Sequence, residues 1–96
     1  MELLAQYKTQ PNALLLDVRQ PDEYRQGHIP GARNVPMQKL RDFMLEVTDR
    51  QTPLYVYCLS GGRAGLAVKA LKGVGFTLVY NLGGINSYTG PLENEP

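Results

Sequence analysis

Three short runs of mainly apolar residues punctuate the chain, at residues 13–18, 54–58 and 76–80. The first lies directly behind a Pro-Asn turn signal, and the second is rich in aromatic and β-branched side chains. A continuous apolar run is typical of a strand that is covered on both faces, as in a parallel sheet. Residues 34–36 predict only a very short edge strand, because Pro36 cannot donate a hydrogen bond to a neighbouring strand.

Apolar residues at helical spacing fill the intervals between these strands. The clearest cases are residues 37–47 and 63–74, in which apolar side chains share one face. Shorter helices are predicted at residues 3–7, from Pro21 onwards, and after the glycine pair at 83–84. Strands that alternate with helices predict an α/β fold: a small parallel sheet of four to five strands with helices on both faces.

Length and charge narrow the class of protein. The chain has 96 residues, enough for one domain, which we place at residues 1–92 with a frayed tail at 93–96. The net charge is +1 and the charges are interspersed, so neither a nucleic acid nor a membrane is expected as a partner. The N-terminus lacks the basic and apolar regions of a secretory leader, and we expect a cytoplasmic protein.

The chain contains one cysteine, Cys58, and one histidine, His28. A single cysteine cannot form an internal disulfide, which argues against a disulfide-stabilised secreted fold. One cysteine and one histidine cannot by themselves form a structural zinc site. We therefore expect no metal.

Cys58 is the last residue of a predicted central strand, and ligands of open α/β sheets bind beyond the carboxyl ends of strands. The glycines that follow permit positive φ, so that backbone N–H groups can turn towards one point, to which the next helix directs its positive end. A cysteine at that point is expected to be partly thiolate, the nucleophilic form. Cys58 is thus the candidate catalytic residue, and the loop after it is the candidate substrate-binding segment: Leu59, Ser60, Gly61, Gly62 and Arg63.

Other polar residues have a structural and a functional interpretation. Asp17 and Arg19 could act on substrate, but a supporting role at the strand ends, through charge-assisted hydrogen bonds, is favoured. Glu23 is interpreted as a supporting carboxylate on a helix or turn. His28 could be a general base, yet its position in a Gly-His-Ile-Pro-Gly turn favours a structural role. The competing interpretation of Cys58 itself is a buried strand end before a tight glycine turn.

Four segments of the chain resemble, in the same order, the motifs of the rhodanese family of sulfurtransferase domains. They lie at residues 15–19, 23–32, 56–63 and 81–85. The third is similar to the active-site loop of single-domain members, and together the motifs cover nearly the whole chain. Ala64 stands where many members carry serine, Tyr88 where a tryptophan is usual, and Leu59 where some members present a basic residue.

The resemblance implies a reaction. A thiolate at Cys58 would take the outer sulfur of a small-molecule donor such as thiosulfate, hold it as a persulfide, and pass it to cyanide, a thiol or a protein acceptor. This is covalent, two-step catalysis, and the resemblance implies neither a metal nor an organic cofactor.

Two other functions remain open from the sequence. Phosphatases and arsenate reductases also place a cysteine loop before a helix, but with five residues between cysteine and arginine. Here four residues separate Cys58 from Arg63, a loop one residue shorter. A rhodanese-like domain without catalytic activity, acting as a binding or regulatory module, is the second alternative.

Overall fold

Four strands form one parallel sheet in the computed structural model, which describes residues 1–95. They are β1 (Leu14–Asp17), β2 (Arg33–Asn34), β3 (Leu54–Cys58) and β4 (Val79–Gly84). Their order across the sheet is β2-β1-β3-β4, and every neighbouring pair is parallel. All five residues of β3 are buried, as its unbroken apolar run predicts for a central strand.

Helices cover both faces of the sheet: α1 (Leu3–Thr9), α2 (Pro21–Gln26), α3 (Leu40–Glu46) and α4 (Gly62–Gly73). One apolar core includes Phe43 of α3 and Leu71 of α4. A second core includes Leu4 of α1 and Tyr55 of β3. The α/β fold with a small parallel sheet is confirmed, and the sheet has four strands. No helix within residues 1–95 is long and apolar enough to cross a bilayer.

The last predicted strand, residues 76–80, is wrong in its boundaries, because β4 begins only at Val79. Phe76 instead belongs to the end of α4, a Schellman motif. The N–H of Gly75 donates to the carbonyl of Lys72 (3.1 Å) and that of Phe76 to the carbonyl of Leu71 (3.2 Å). Gly75 has a φ of +108°, and Phe76 and Leu71 share one core. The apolar signal at Phe76 therefore marks a helix end.

The glycine pair at 83–84, after which a short helix is predicted, forms the last two residues of β4. The register of β3 against β4 shifts between Val56 and Tyr57, and Leu82 is the extra residue of a bulge. The shift pairs Gly84 with Cys58 at the end of the two strands. The helix predicted after the glycines is a single 3-10 turn at Ile85–Ser87.

The bounds of the edge strand differ from the prediction, and the C-terminal segment contacts the rest of the chain through its backbone. The edge strand is β2, at residues 33–34, instead of residues 34–36. Two residues of the segment predicted as a frayed tail form backbone hydrogen bonds. Glu93 and His28 exchange two of 2.8 and 2.9 Å, and the Glu95 N–H donates to the Arg25 carbonyl at 2.9 Å. These bonds use the backbone alone, so the polar side chains gave no sign of them. Residue 96 lies outside the described residues.

Candidate active site

Cys58 lies at the carboxyl end of β3, between the ends of β1 and β4, where the sequence places it. Cys58 is almost fully buried, with 1% of its surface exposed. The sulfur accepts hydrogen bonds from the backbone N–H groups of Gly61, at 3.0 Å, and Ala64, at 3.3 Å. Two donors therefore converge on the atom that would carry negative charge as a nucleophile.

The two glycines of the loop differ in conformation. Gly61 has a φ of +108° and precedes α4 as its N-cap, whereas Gly62 is the first helical residue and has no positive φ. Of the two glycines, only Gly61 uses the positive φ that glycine permits. The first N–H groups of a helix have no intrahelical acceptor. Ala64 is the third helical residue, and its N–H donates to the sulfur of Cys58 instead. In the sequence, Ala64 was notable only as a departure from the serine of many family members, and its backbone N–H was missed, although a helix start at Gly62 would have indicated it.

Leu59 and Ser60 form the exposed crest of the loop, which rests on the end of β4. A Cβ added to Gly84 would lie 2.2 Å from the carbonyl oxygen of Leu59 and 2.5 Å from the Cα of Ser60. The N–H of Asn86 donates to the same Leu59 carbonyl at 3.3 Å. Gly84 is therefore required by close backbone approach, a role that sequence reasoning missed because the contact depends on the bulge in β4.

Arg63, predicted to bind substrate, is occupied by another side chain. Its Nη1 and Nη2 donate to Oε1 and Oε2 of Glu23 at 2.7 and 3.0 Å. Glu23 also accepts the N–H of Gln20 at 2.9 Å and so caps α2. The hydrogen bond from Arg63, aided by that from Gln20, lowers the pKa of Glu23 to about 2. In return the Glu23 carboxylate raises the pKa of Arg63.

Asp17 and Arg19 form a buried ion pair at the end of β1. Their side chains are 0% and 6% exposed, and the Arg19 Nη2 lies 2.7 Å from the Asp17 Oδ2. The same Nη2 donates to the Gly27 carbonyl at 2.7 Å. Burial lowers the pKa of Arg19, but the hydrogen bond and charge of Asp17 outweigh it and the net pKa is raised. The pair joins the end of β1 to the segment at Gly27.

His28 is packed as a structural residue. Its ring stacks on Tyr24, with centroids 3.7 Å apart and planes at 5°. Its Nδ1 lies 2.9 Å from the Tyr24 carbonyl, an acceptor, so this nitrogen carries the proton. The ring is buried and engaged, which agrees with the structural interpretation of the Gly-His-Ile-Pro-Gly turn.

A cleft of about 310 Å³ opens beside the loop. Leu59, Ile85 and Leu92 contribute apolar surface, and the paired side chains of Arg19 and Glu23 contribute polar surface. The loop residue that follows Cys58 therefore forms one wall of the cleft. Within residues 1–95, no three His, Cys, Asp or Glu side chains are grouped as metal ligands would be.

Family and structural similarities cover most of the chain. Residues 1–90 match the model of the rhodanese-like domain family. The chain is 42% identical over 83 residues to the Bacillus subtilis protein named uncharacterized protein YqhL, a match that covers 84% of this chain and 64% of that relative. It is 35% identical over 77 residues to thiosulfate sulfurtransferase PspE of Escherichia coli, covering 79% of this chain and 74% of the relative.

Solved structures give the same result for the fold. A structure described as a rhodanese with anions from E. coli superposes with a TM-score of 0.77 at 32% identity, over 85% of this chain and 98% of that one. A rhodanese-like domain protein from Staphylococcus aureus superposes with a TM-score of 0.84 at 25% identity, over 99% of this chain and 93% of that one.

Proposed function

Since the chain belongs to the family of rhodanese-like domains, we propose that it is a sulfurtransferase that carries sulfane sulfur as a persulfide on Cys58. One observation carries the proposal: the sulfur of Cys58 lies at the end of β3 and accepts two backbone N–H groups. Family relatives that are named thiosulfate sulfurtransferases support the reaction class.

In the first step the Cys58 thiolate attacks the outer sulfur of a donor such as thiosulfate. A bond forms between the two sulfur atoms, and the donor's S–S bond breaks with its electron pair on the departing sulfite. The N–H groups of Gly61 and Ala64 bind the cysteine sulfur. The N–H groups of Gly62 and Arg63 also lie in the first turn of α4, where no intrahelical acceptor exists, and can bind the outer sulfur.

In the second step an acceptor, cyanide or a thiolate, attacks the outer sulfur of the persulfide. The S–S bond breaks with its electron pair on Cys58, which restores the thiolate. The acceptor thiol can be that of a small molecule or of a protein. The chemistry is covalent catalysis in two half-reactions and requires no metal or organic cofactor.

The supporting residues act through position. The ion pair of Glu23 with Arg63 joins α2 to the start of α4, and the pair of Asp17 with Arg19 holds the end of β1. We also propose a cytoplasmic location for the reaction. Neither a nucleic acid nor a membrane is proposed as a partner, because the net charge of +1 supplies no basic field.

The test is the intact mass of the protein after incubation with thiosulfate. The expected result is a gain of one sulfur atom that is lost on reduction and absent from the Cys58→Ser variant. Because Cys58 is the only cysteine, the gain can be assigned without peptide mapping. Circular dichroism of the variant shows whether the fold is retained.

A binding module without catalysis is the second candidate, and the 1% exposure of Cys58 favours it. Under that function, neither thiosulfate nor any organic sulfane-sulfur donor adds sulfur to Cys58 in the folded protein. A phosphatase is disfavoured because Arg63, the residue that would bind phosphate, is paired with Glu23. Hydrolysis of a phosphate ester, with no gain of sulfur, is the result that would reverse this ranking.

A further inference from the structure

Of the described residues 1–95, the charged ones that line the cleft beside the active-site loop are Arg19 and Glu23, and both are paired. Arg19 is bound by Asp17 and by the Gly27 carbonyl, and Glu23 is bound by Arg63. The arginine at the start of α4 is likewise neutralised by its carboxylate partner. An inorganic dianion that enters this cleft would lose water without meeting an unpaired positive side chain, and it would lie near the carboxylate of Glu23.

The same cleft has an apolar wall that includes the residue directly after Cys58. Leu59, directly after Cys58, is 47% exposed, and Leu92 is 54% exposed. Leu92 lies against Gly27, where an added Cβ would be 3.2 Å from its Cδ1, and Ile85 completes the apolar lining. When a carbon group of the substrate covers apolar surface near a reaction centre, the removal of that surface from water favours binding.

We propose that this cleft binds the carbon substituent of an organic sulfane-sulfur donor, and that Leu59 and Leu92 determine the preference for such donors over thiosulfate. This inference rests on the proposed sulfur transfer to Cys58. The transfer of sulfur can be written in full for one class of organic donor, a thiosulfonate of the form R–SO₂–S⁻. The Cys58 thiolate bonds to the terminal sulfur, the donor S–S bond breaks, and its electron pair leaves on the sulfinate, R–SO₂⁻.

The experiment measures the rate constant of persulfide formation on Cys58 by rapid quench and intact mass. Benzenethiosulfonate and methanethiosulfonate share one type of reacting group and differ in the size of the carbon substituent. Their uncatalysed reactions with a small thiol correct for the difference in leaving group. We expect the corrected ratio to favour the benzene compound about tenfold, because its ring buries several more carbon atoms.

Two variants test the residues. Leu92→Ala is expected to lower the ratio about threefold or more, since it removes part of the apolar wall. Leu59→Lys is expected to lower the same ratio and to raise the rate with thiosulfate about three- to tenfold, because it adds an unpaired cation beside the sulfur. Leu45→Lys is the matched control: Leu45 is 70% exposed on α3, outside the cleft, and all rates should stay at the wild-type value.

The outcomes separate the two proposals. A corrected ratio near one in the wild type, or a ratio that neither variant changes, overturns the inference while persulfide formation itself upholds the sulfur transfer. Failure of every donor to load Cys58 overturns both. Circular dichroism of each variant excludes unfolding, and Leu92→Ala still tests the cleft if Leu59→Lys does not fold.

Discussion

Glu23 and Arg63 join the starts of α2 and α4 through two parallel hydrogen bonds of 2.7 and 3.0 Å. The two side chains are 28% and 34% exposed, so solvent screens their attraction only in part. The pair joins α2, whose Glu23 and Gln26 line the cleft, to the start of α4. It also neutralises Arg63, which the sequence predicts to bind substrate, with a carboxylate.

Replacement of Glu23 by Gln is expected to destabilise the protein by about 1–2 kcal/mol at pH 7, after discounting its partial exposure. The pKa of Glu23 is lowered from 4.5 to about 2 on folding, so its contribution is complete above pH 4.5 and is lost as the pH falls towards 2. Urea unfolding of both proteins between pH 7 and pH 2 checks this. A difference in the free energy of unfolding that stays constant over that range would contradict the assignment.

Asp17→Asn is expected to destabilise the protein more strongly, by about 3–5 kcal/mol, because it leaves the charge of Arg19 buried without a partner. That loss is a large part of the stability usual for a domain of this size. The matched control is Glu46→Gln in the ion pair with Arg33, whose side chains are 58% and 46% exposed. The control should leave the denaturation midpoint unchanged, and equal losses in the two variants would refute the importance of burial.

The strands and the long helix could be predicted where one physical signal dominated. The unbroken apolar runs of β1 and β3 and the apolar face of α4 lie within one or two residues of their predicted bounds. The predicted bounds of β4 were wrong for two reasons. Phe76 is an apolar residue that packs at the end of α4 and not in a strand, and the two glycines within β4 resemble a turn in composition. Local composition cannot distinguish these cases without the neighbouring strand.

The candidate site shows the same division. The position of Cys58 at a strand end before a glycine loop follows from order along the chain, and it is where the structure has it. The pairing of Arg63 with Glu23 joins residues 40 positions apart, and nothing in either local sequence specifies it. The contact of Gly84 with the loop depends on the bulge in β4, which only the paired strands define.

Gly84→Ala is expected to disrupt the loop, because the new Cβ would lie 2.2 Å from the Leu59 carbonyl oxygen, a backbone atom that cannot move alone. A loss of about 2–3 kcal/mol in the free energy of unfolding and a large fall in the rate of persulfide formation should accompany it. Gly73→Ala, at the end of α4, meets no atom within 4 Å and should be neutral or slightly stabilising. Thermal unfolding and the rate of persulfide formation, measured on both variants, show whether the loss is specific to Gly84→Ala.

If Gly84→Ala were as stable and as active as Gly73→Ala, the loop would have room to move away from β4. The close approach would then have no consequence for the position of Sγ.

The two loop glycines provide the most direct test of how the N–H groups are positioned around the sulfur. At Gly61 the φ of +108° is strained for any residue with a Cβ, whereas Gly62 is helical and an added Cβ would meet nothing within 4 Å. Gly61→Ala is therefore expected to cost about 1–2 kcal/mol in stability, or to shift the backbone so that its N–H no longer points at the sulfur of Cys58. Loss of such a donor should slow persulfide formation about 10- to 100-fold.

Gly62→Ala serves as the comparison, since it changes the neighbouring position by the same methyl group without strain. Its stability should equal or slightly exceed that of the wild type, because alanine favours a helix over glycine, and its rate of persulfide formation should be retained. Rapid-quench mass measurements on the two variants, with circular dichroism to verify folding, give the comparison. Equal losses of rate in both would mean that crowding at the loop matters, and that the left-handed backbone at Gly61 does not direct its N–H to the sulfur. A loss confined to Gly61→Ala would assign the positioning of that donor to this one backbone conformation.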